Sequence, residues 1–150
     1  MTKDVLISIR GLQFAGPMED HSDSVEVIVG GQYHFKDGKH YLTYDETMEG
    51  LSEKTRTMIK IDKDRVELSK KGGIAVAMLF VEGEKNISNY RTPFGNLVVG
   101  IDTTKISFEE EEERMRLNIL YHLNMNYDFV AECNITIDVR SKETGAALFN

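Results

Sequence analysis

The sequence predicts an all-β protein, an antiparallel meander closed into a barrel of about eight to ten strands. Three observations lead there. Apolar residues alternate at a period of two along most of the chain, the mark of strands with one buried face. Pairs that favour tight turns, such as Asp37-Gly38, separate these segments. Helical periodicity is nearly absent, and the Glu109–Glu113 run ahead of Arg114-Met115-Arg116 reads as a charged, solvated bend between strands. A meander with a single apolar face ends as a barrel or a sandwich. Closure removes the sheet edges, so the barrel is favoured.

The alternation marks about ten strands, near residues 4–12, 24–36, 39–46, 55–62, 65–70, 74–81, 86–92, 95–108, 114–124 and 129–140. Gly11–Ser24 and Thr47–Lys54 read as loops. In the first strand Val5, Ile7 and Ile9 form one face. Around Asp37-Gly38, where glycine accepts positive φ at no steric cost, Tyr33 falls opposite Leu42 and Phe35 opposite His40. Tyr33, Phe35, Leu42 and Tyr44 then face inward, and His34, Lys36, Lys39, Tyr41 and Thr43 outward. A turn at Lys63-Asp64 sets Ile61 opposite Val66 and Ile59 opposite Leu68 inside. Outside, it sets Lys60 opposite Glu67 and Asp62 opposite Arg65, opposite charges in both pairs. A five-residue connection, Asn124 to Asp128, joins the last two strands, whose inner face carries Leu117, Ile119, Tyr121, Ala131, Cys133 and Ile135.

At 150 residues the chain makes one domain, 1–150, and can bury ~68–70% of its unfolded surface without disulfides or a structural metal. A net charge of −7 argues against nucleic acid and anionic membranes as partners. The longest apolar run, Ile74–Val81, is far short of the ~20 residues that span a bilayer. The start, Met1-Thr2-Lys3-Asp4-Val5, does not read as a signal peptide. Cys133 is the single cysteine, which suits a reducing cytoplasm. No Walker or Rossmann loop, zinc signature or nucleophile elbow occurs, so the common soluble-enzyme classes recede and no cofactor is expected.

Tyr33 with Tyr41-Leu42-Thr43-Tyr44 and Glu46 resembles one block of the YwiB-like family of small bacterial proteins. A second block is Gly83-x3-Ile87-x2-Tyr90-x-Thr92-Pro93-Phe94-Gly95, followed by Leu97-x-Val99, Thr103 and Ile106. Ile119-x-Tyr121-x-Leu123 and Asn134-x-Thr136-x-Asp138 complete the resemblance, which covers roughly residues 25–140. It implies a calycin-like barrel, the architecture of lipocalins and fatty-acid-binding proteins, without an agreed set of catalytic residues. The lipocalin Gly-x-Trp signature cannot occur in a chain that has no tryptophan.

Tyr33, Tyr44, Glu46, Tyr90 and Tyr121 are the candidate ligand-binding residues. Tyrosines combine apolar bodies with polar tips that can hold a ligand head group. Glu46, on the face of Leu42 and Tyr33, would stand in the barrel mouth and anchor a cationic or hydroxylated group. Ordinary packing for the tyrosines and plain solvent contact for Glu46 are the competing readings. Arg56 alternates outward and reads as surface charge. His34 and His40 fall on opposite faces and His122 on the outside, so with His21 they do not build a zinc site. Cys133 faces inward as an unreactive thiol. Gly72-Gly73 after Lys70-Lys71 reads as a turn, since no helix follows to bind phosphate. Residues 54–71 carry seven basic against three acidic side chains and residues 109–113 five acidic ones, complementary patches for a partner or a second copy, with a solvated surface as the competing reading.

Together these features lead to a cytoplasmic, non-catalytic protein that binds a small, partly apolar molecule in the barrel lumen. The alternative is a scaffold that contacts a protein partner, or a second copy, through an outer face such as His34, Lys36, Lys39 and Tyr41 or the 54–71 hairpin.

Overall fold

The computed structural model of the protein describes residues 3–11, 26–47, 54–93 and 95–142. Ten antiparallel strands run in chain order: β1 Asp4–Arg10, β2 Glu26–Lys36, β3 Lys39–Thr47, β4 Lys54–Asp62, β5 Arg65–Lys71, β6 Val76–Val81, β7 Lys85–Thr92, β8 Gly95–Glu110, β9 Arg114–Met125 and β10 Asp128–Ser141. One sheet holds them all in the order β6-β5-β4-β3-β2-β1-β10-β9-β8-β7. Chain neighbours are therefore sheet neighbours, and the two ends of the chain meet where β1 pairs with β10, as at Ile7↔Val139. The seam lies between β6 and β7. There Ala75 and Arg91 exchange two backbone hydrogen bonds, at 2.9 and 2.8 Å, and nearly close the barrel. No helix among the described residues is long and apolar enough to cross a membrane.

The predicted registers hold. Tyr33↔Leu42 and Phe35↔His40 flank the Asp37-Gly38 turn, where both residues take positive φ, 53° and 77°. Ile61↔Val66 and Ile59↔Leu68 flank Lys63-Asp64. The charged bend also holds: β8 stops at Glu110 and β9 starts at Arg114. The last hairpin is tighter than the sequence suggests. Its connection is Asn126-Tyr127 alone, both at positive φ (49° and 70°), and a bulge between Phe129 and Ala131 absorbs the extra residue. Tyrosine is a poor signal for that backbone region, which is why the sequence points to a longer loop. Most of the Gly11–Ser24 and Thr47–Lys54 loops, and His21 and Phe94, lie outside the described residues.

Alternation sends one face of each strand to a common interior. Val5, Ile7, Leu42, Ile59, Phe80 and Val99 are fully shielded at its centre, and each such side chain contributes roughly 1.5–3 kcal/mol by leaving water. Phe80 meets Tyr121 edge-on at 5.1 Å, so the middle of the barrel is filled by rings and branched side chains. β8 is 16 residues long. Its pairing with β7 reaches only Asp102, and the remainder continues with β9 to Glu110. This extension carries Phe108 to the start of β3, where its ring lies 5.1 Å from that of His40.

Candidate functional site

Where β3, β4 and β5 approach the other end of the barrel, their inward columns change from apolar to polar. On β3 the inner sequence is Leu42, Tyr44, Glu46; on β4 it is Ile61, Ile59, Thr57, Thr55; on β5 it is Val66, Leu68, Lys70. Registers Glu46↔Thr55, Tyr44↔Thr57 and Thr57↔Lys70 bring these side chains together. Lys70 is only 3% exposed. Its Nζ donates to Glu46 Oε1 and, at 3.4 Å, to Thr57 Oγ1. The Thr57 hydroxyl donates to the same Glu46 oxygen at 2.6 Å. Glu46 keeps 22% of its side chain open to solvent, so the carboxylate links a buried ammonium to the outside.

Two tyrosines complete the cluster. Burial, reinforced by the Glu46 charge, pushes the Tyr90 phenol up to about 12. The same two causes raise Tyr44 further, partly offset by its hydrogen bond with Thr57. Both phenols therefore keep their protons at neutral pH and can donate. Thr55 is completely buried, and its Oγ1 has no hydrogen-bond partner among the described residues. An unpaired buried hydroxyl costs about 1–3 kcal/mol, so Thr55 has an unfilled capacity directly across from Glu46.

Of the five residues predicted from sequence, the structure brings Tyr44, Glu46 and Tyr90 together and separates the other two. Tyr121 sits in the packed middle, against Phe80 and hydrogen-bonded with Cys133; burial raises both of their pKa values. Tyr33 lies at the opposite end, its hydroxyl 2.8 Å from His40 Nδ1. The four tyrosines thus do not line one lumen. Lys70, expected on an outer basic hairpin, belongs inside the site instead. The Lys63-Asp64 turn places position 70 opposite Thr57, so inward parity carries the signal against the general preference of lysine for the surface.

Arg56 is exposed and pairs with Asp45 at 3.2 Å. Beside it, where the β2–β3 ladder ends at Gln32↔Thr43, a cleft of about 420 Å³ is lined by residues of β1 to β4, among them Asp4, Gly30, Gln32, Thr43, Tyr44 and Arg56. Tyr44 forms part of both this cleft and the interior cluster. His34 is exposed, His40 buried, and His122 faces outward toward Glu132 at 3.5 Å. Among the described residues no three His, Cys, Asp or Glu side chains converge on a metal position.

A family described as Domain of unknown function (DUF1934) matches residues 7–137, and the chain belongs to it. It is similar to the uncharacterized beta-barrel protein YwiB of Bacillus subtilis (strain 168), 28% identical over 119 residues that cover 79% of this chain and 82% of that one. The crystal structure of the ywiB protein from Bacillus subtilis superposes with a TM-score of 0.76 at 25% identity, over 93% of this chain and 92% of the other.

Proposed function

We propose that this DUF1934 barrel is a cytoplasmic, non-catalytic binding protein that takes a small, partly apolar molecule into its interior from the Glu46 end. The observation that carries this reading is the Lys70–Glu46 pair on the inner wall of a barrel whose centre is apolar. A buried ion pair is weak as a stabiliser, since well-packed apolar residues in its place are often neutral or better by about 1–4 kcal/mol. Its presence is better explained by what it can hold. Lys70 is neutralised by Glu46, Tyr44 and Tyr90 retain their protons, and Thr55 offers a hydroxyl that no described residue pairs with. That set suits a neutral or zwitterionic head group with hydroxyl, carbonyl or amino functions.

Native mass spectrometry of protein freshly purified from cells tests this. The wild type should retain a small non-covalent adduct. The double variant Glu46→Leu/Lys70→Met should lose it while unfolding at an unchanged or higher urea concentration. An adduct that persists in the double variant, or a wild type that carries none, overturns the reading.

A second reading, contact with another protein through the outer wall, is favoured by exposed apolar side chains on a different face from the His34, Lys36, Lys39 and Tyr41 surface.

A further inference from the structure

The outer wall of β7–β10 carries large apolar side chains that nothing among the described residues covers. Ile87, Phe129 and Tyr127 are 59%, 63% and 78% exposed, and Leu120 is 37% exposed. Soluble monomers seldom cluster such groups without a use for them. Registers Ile87↔Gly100, Gly100↔Asn124 and Asn124↔Phe129 put Ile87 and Phe129 at the two ends of one row across four strands. Gly100 leaves a gap in that row. Beside it is a hollow of about 90 Å³ edged by Ile87, Val98, Asn124 and Tyr127. A Cβ at Gly100 would lie 3.3 Å from that of Asn124, partly filling the gap. The adjacent row is Lys85, Asp102, His122 and Glu132, charges that read plus, minus, imidazole, minus from β7 to β10.

We propose that this face joins two copies of the chain into a homodimer about a two-fold axis parallel to the strands. Such an axis reverses the strand order, so β7 of one copy lies over β10 of the other and β8 over β9. Lys85 then meets the second copy's Glu132, twice per dimer, and Asp102 meets the second copy's His122. Ile87 with its hollow receives the second copy's Phe129. A two-fold axis across the strands and through this row would instead set Lys85 on Lys85, Asp102 on Asp102 and Glu132 on Glu132. Like charges opposed in this way suppress that arrangement, and of the two axes only the one parallel to the strands pairs opposite charges of this row. The interface is isologous, as a two-fold dimer requires. Four strands at ~4.8 Å spacing span only ~14 Å between the outer two, so the contact is at the small end of specific interfaces and its affinity is expected in the micromolar range.

Sedimentation velocity of the full chain, from about 1 μM to about 0.5 mM at moderate salt, brackets a Kd in that range and tests the proposal. Wild type should pass from monomer to dimer. Lys85→Glu and Glu132→Lys should each be monomeric, because each sets like charges against one another. An equimolar mixture of the two variants should dimerise again, since each then offers the other a pair of opposite charges. Within one copy the two positions stand three strand spacings apart, ~14 Å, so recovery on mixing reports contact between copies. Phe129→Ser should weaken association about tenfold, the loss expected when a buried apolar anchor is truncated. A wild type that stays monomeric throughout, single variants that associate like wild type, or a mixture that fails to recover would each overturn the arrangement.

Discussion

The two ends of the barrel solve one problem in opposite ways. Both place polar side chains of β3 on the inner face, His40 at its start and Glu46 near its end, about 20 Å apart along the strand. At the Glu46 end the groups are charged and paired, with Lys70 buried and Glu46 touching water. At the His40 end the inner groups themselves are neutral and flanked by rings, with Phe35 59% exposed and the Glu110 carboxylate approaching from the solvent side. The Tyr33 hydroxyl meets His40 Nδ1, and Phe35 and Phe108 flank the imidazole at 4.9 and 5.1 Å. Burial pushes Tyr33 up and His40 down, each toward its uncharged form. A neutral pair can be sealed behind aromatics; a charged pair needs its counter-ion and a route to solvent. The plugged end thus serves as structure, and the wet end is the one able to exchange its partners for a ligand.

The sharpest way to break this contrast is to remove one charge. Glu46→Leu leaves the Lys70 ammonium buried without its partner and should cost about 3 kcal/mol or more, as one-sided loss of a buried pair does. Adding Lys70→Met should recover nearly all of it. Urea unfolding midpoints of the two variants measure the difference. Equal destabilisation in both would mean that Lys70 finds water after Glu46 is lost, and the wet end would then be no different from an ordinary surface.

How much of this is legible in the sequence depends on which force sets each feature. Strand positions follow from alternation, and registers from turn chemistry, because a one-residue slip would turn every inner side chain outward. Asp37-Gly38 and Lys63-Asp64 are therefore enough to pair Tyr33 with Leu42 and Ile61 with Val66. Lys70 escapes the sequence reading although the same register places it inside, because its burial depends on Glu46, 24 residues earlier in the chain. The grouping of Tyr44 and Tyr90 away from Tyr33 and Tyr121 is also hidden. All four alternate inward, and apart from Tyr33 and Tyr44, which the Asp37-Gly38 turn places in register, inward parity says nothing about height along the barrel axis. Phe108 reaches His40 only because β8 outruns its pairing with β7, a matter of strand length and tilt.

The His40 end gives a smaller effect that sharpens the contrast. Tyr33→Phe removes the hydroxyl and leaves His40 Nδ1 without that partner in a covered site. The expected loss is about 1 kcal/mol, the net worth of one such bond, again read from the urea midpoint. A loss as large as that of Glu46→Leu would show that the neutral end depends on its polar contact as strongly as the charged one.

The smallest effect is a pH dependence, and its sign separates burial from charge. Burial holds the His40 pKa below its ordinary 6.5, and Glu110, with Oε1 3.8 Å from Nε2, pulls it partly back. The folded protein therefore takes up the His40 proton less readily than the unfolded chain. Stability from this group is complete above the ordinary pKa and falls as pH drops below it, until the lower folded pKa is passed. Wild type should lose stability on going from about pH 7.5 to about pH 5.5, the span in which an ordinary histidine titrates. His40→Phe should lose less, because the exposed histidines and the carboxylates are common to both proteins. Glu110→Gln should lose more, since the carboxylate that eases protonation is gone. Were Glu110→Gln to flatten the profile instead, the Glu110 charge rather than burial would govern His40, and the covered end would behave like a second ion pair.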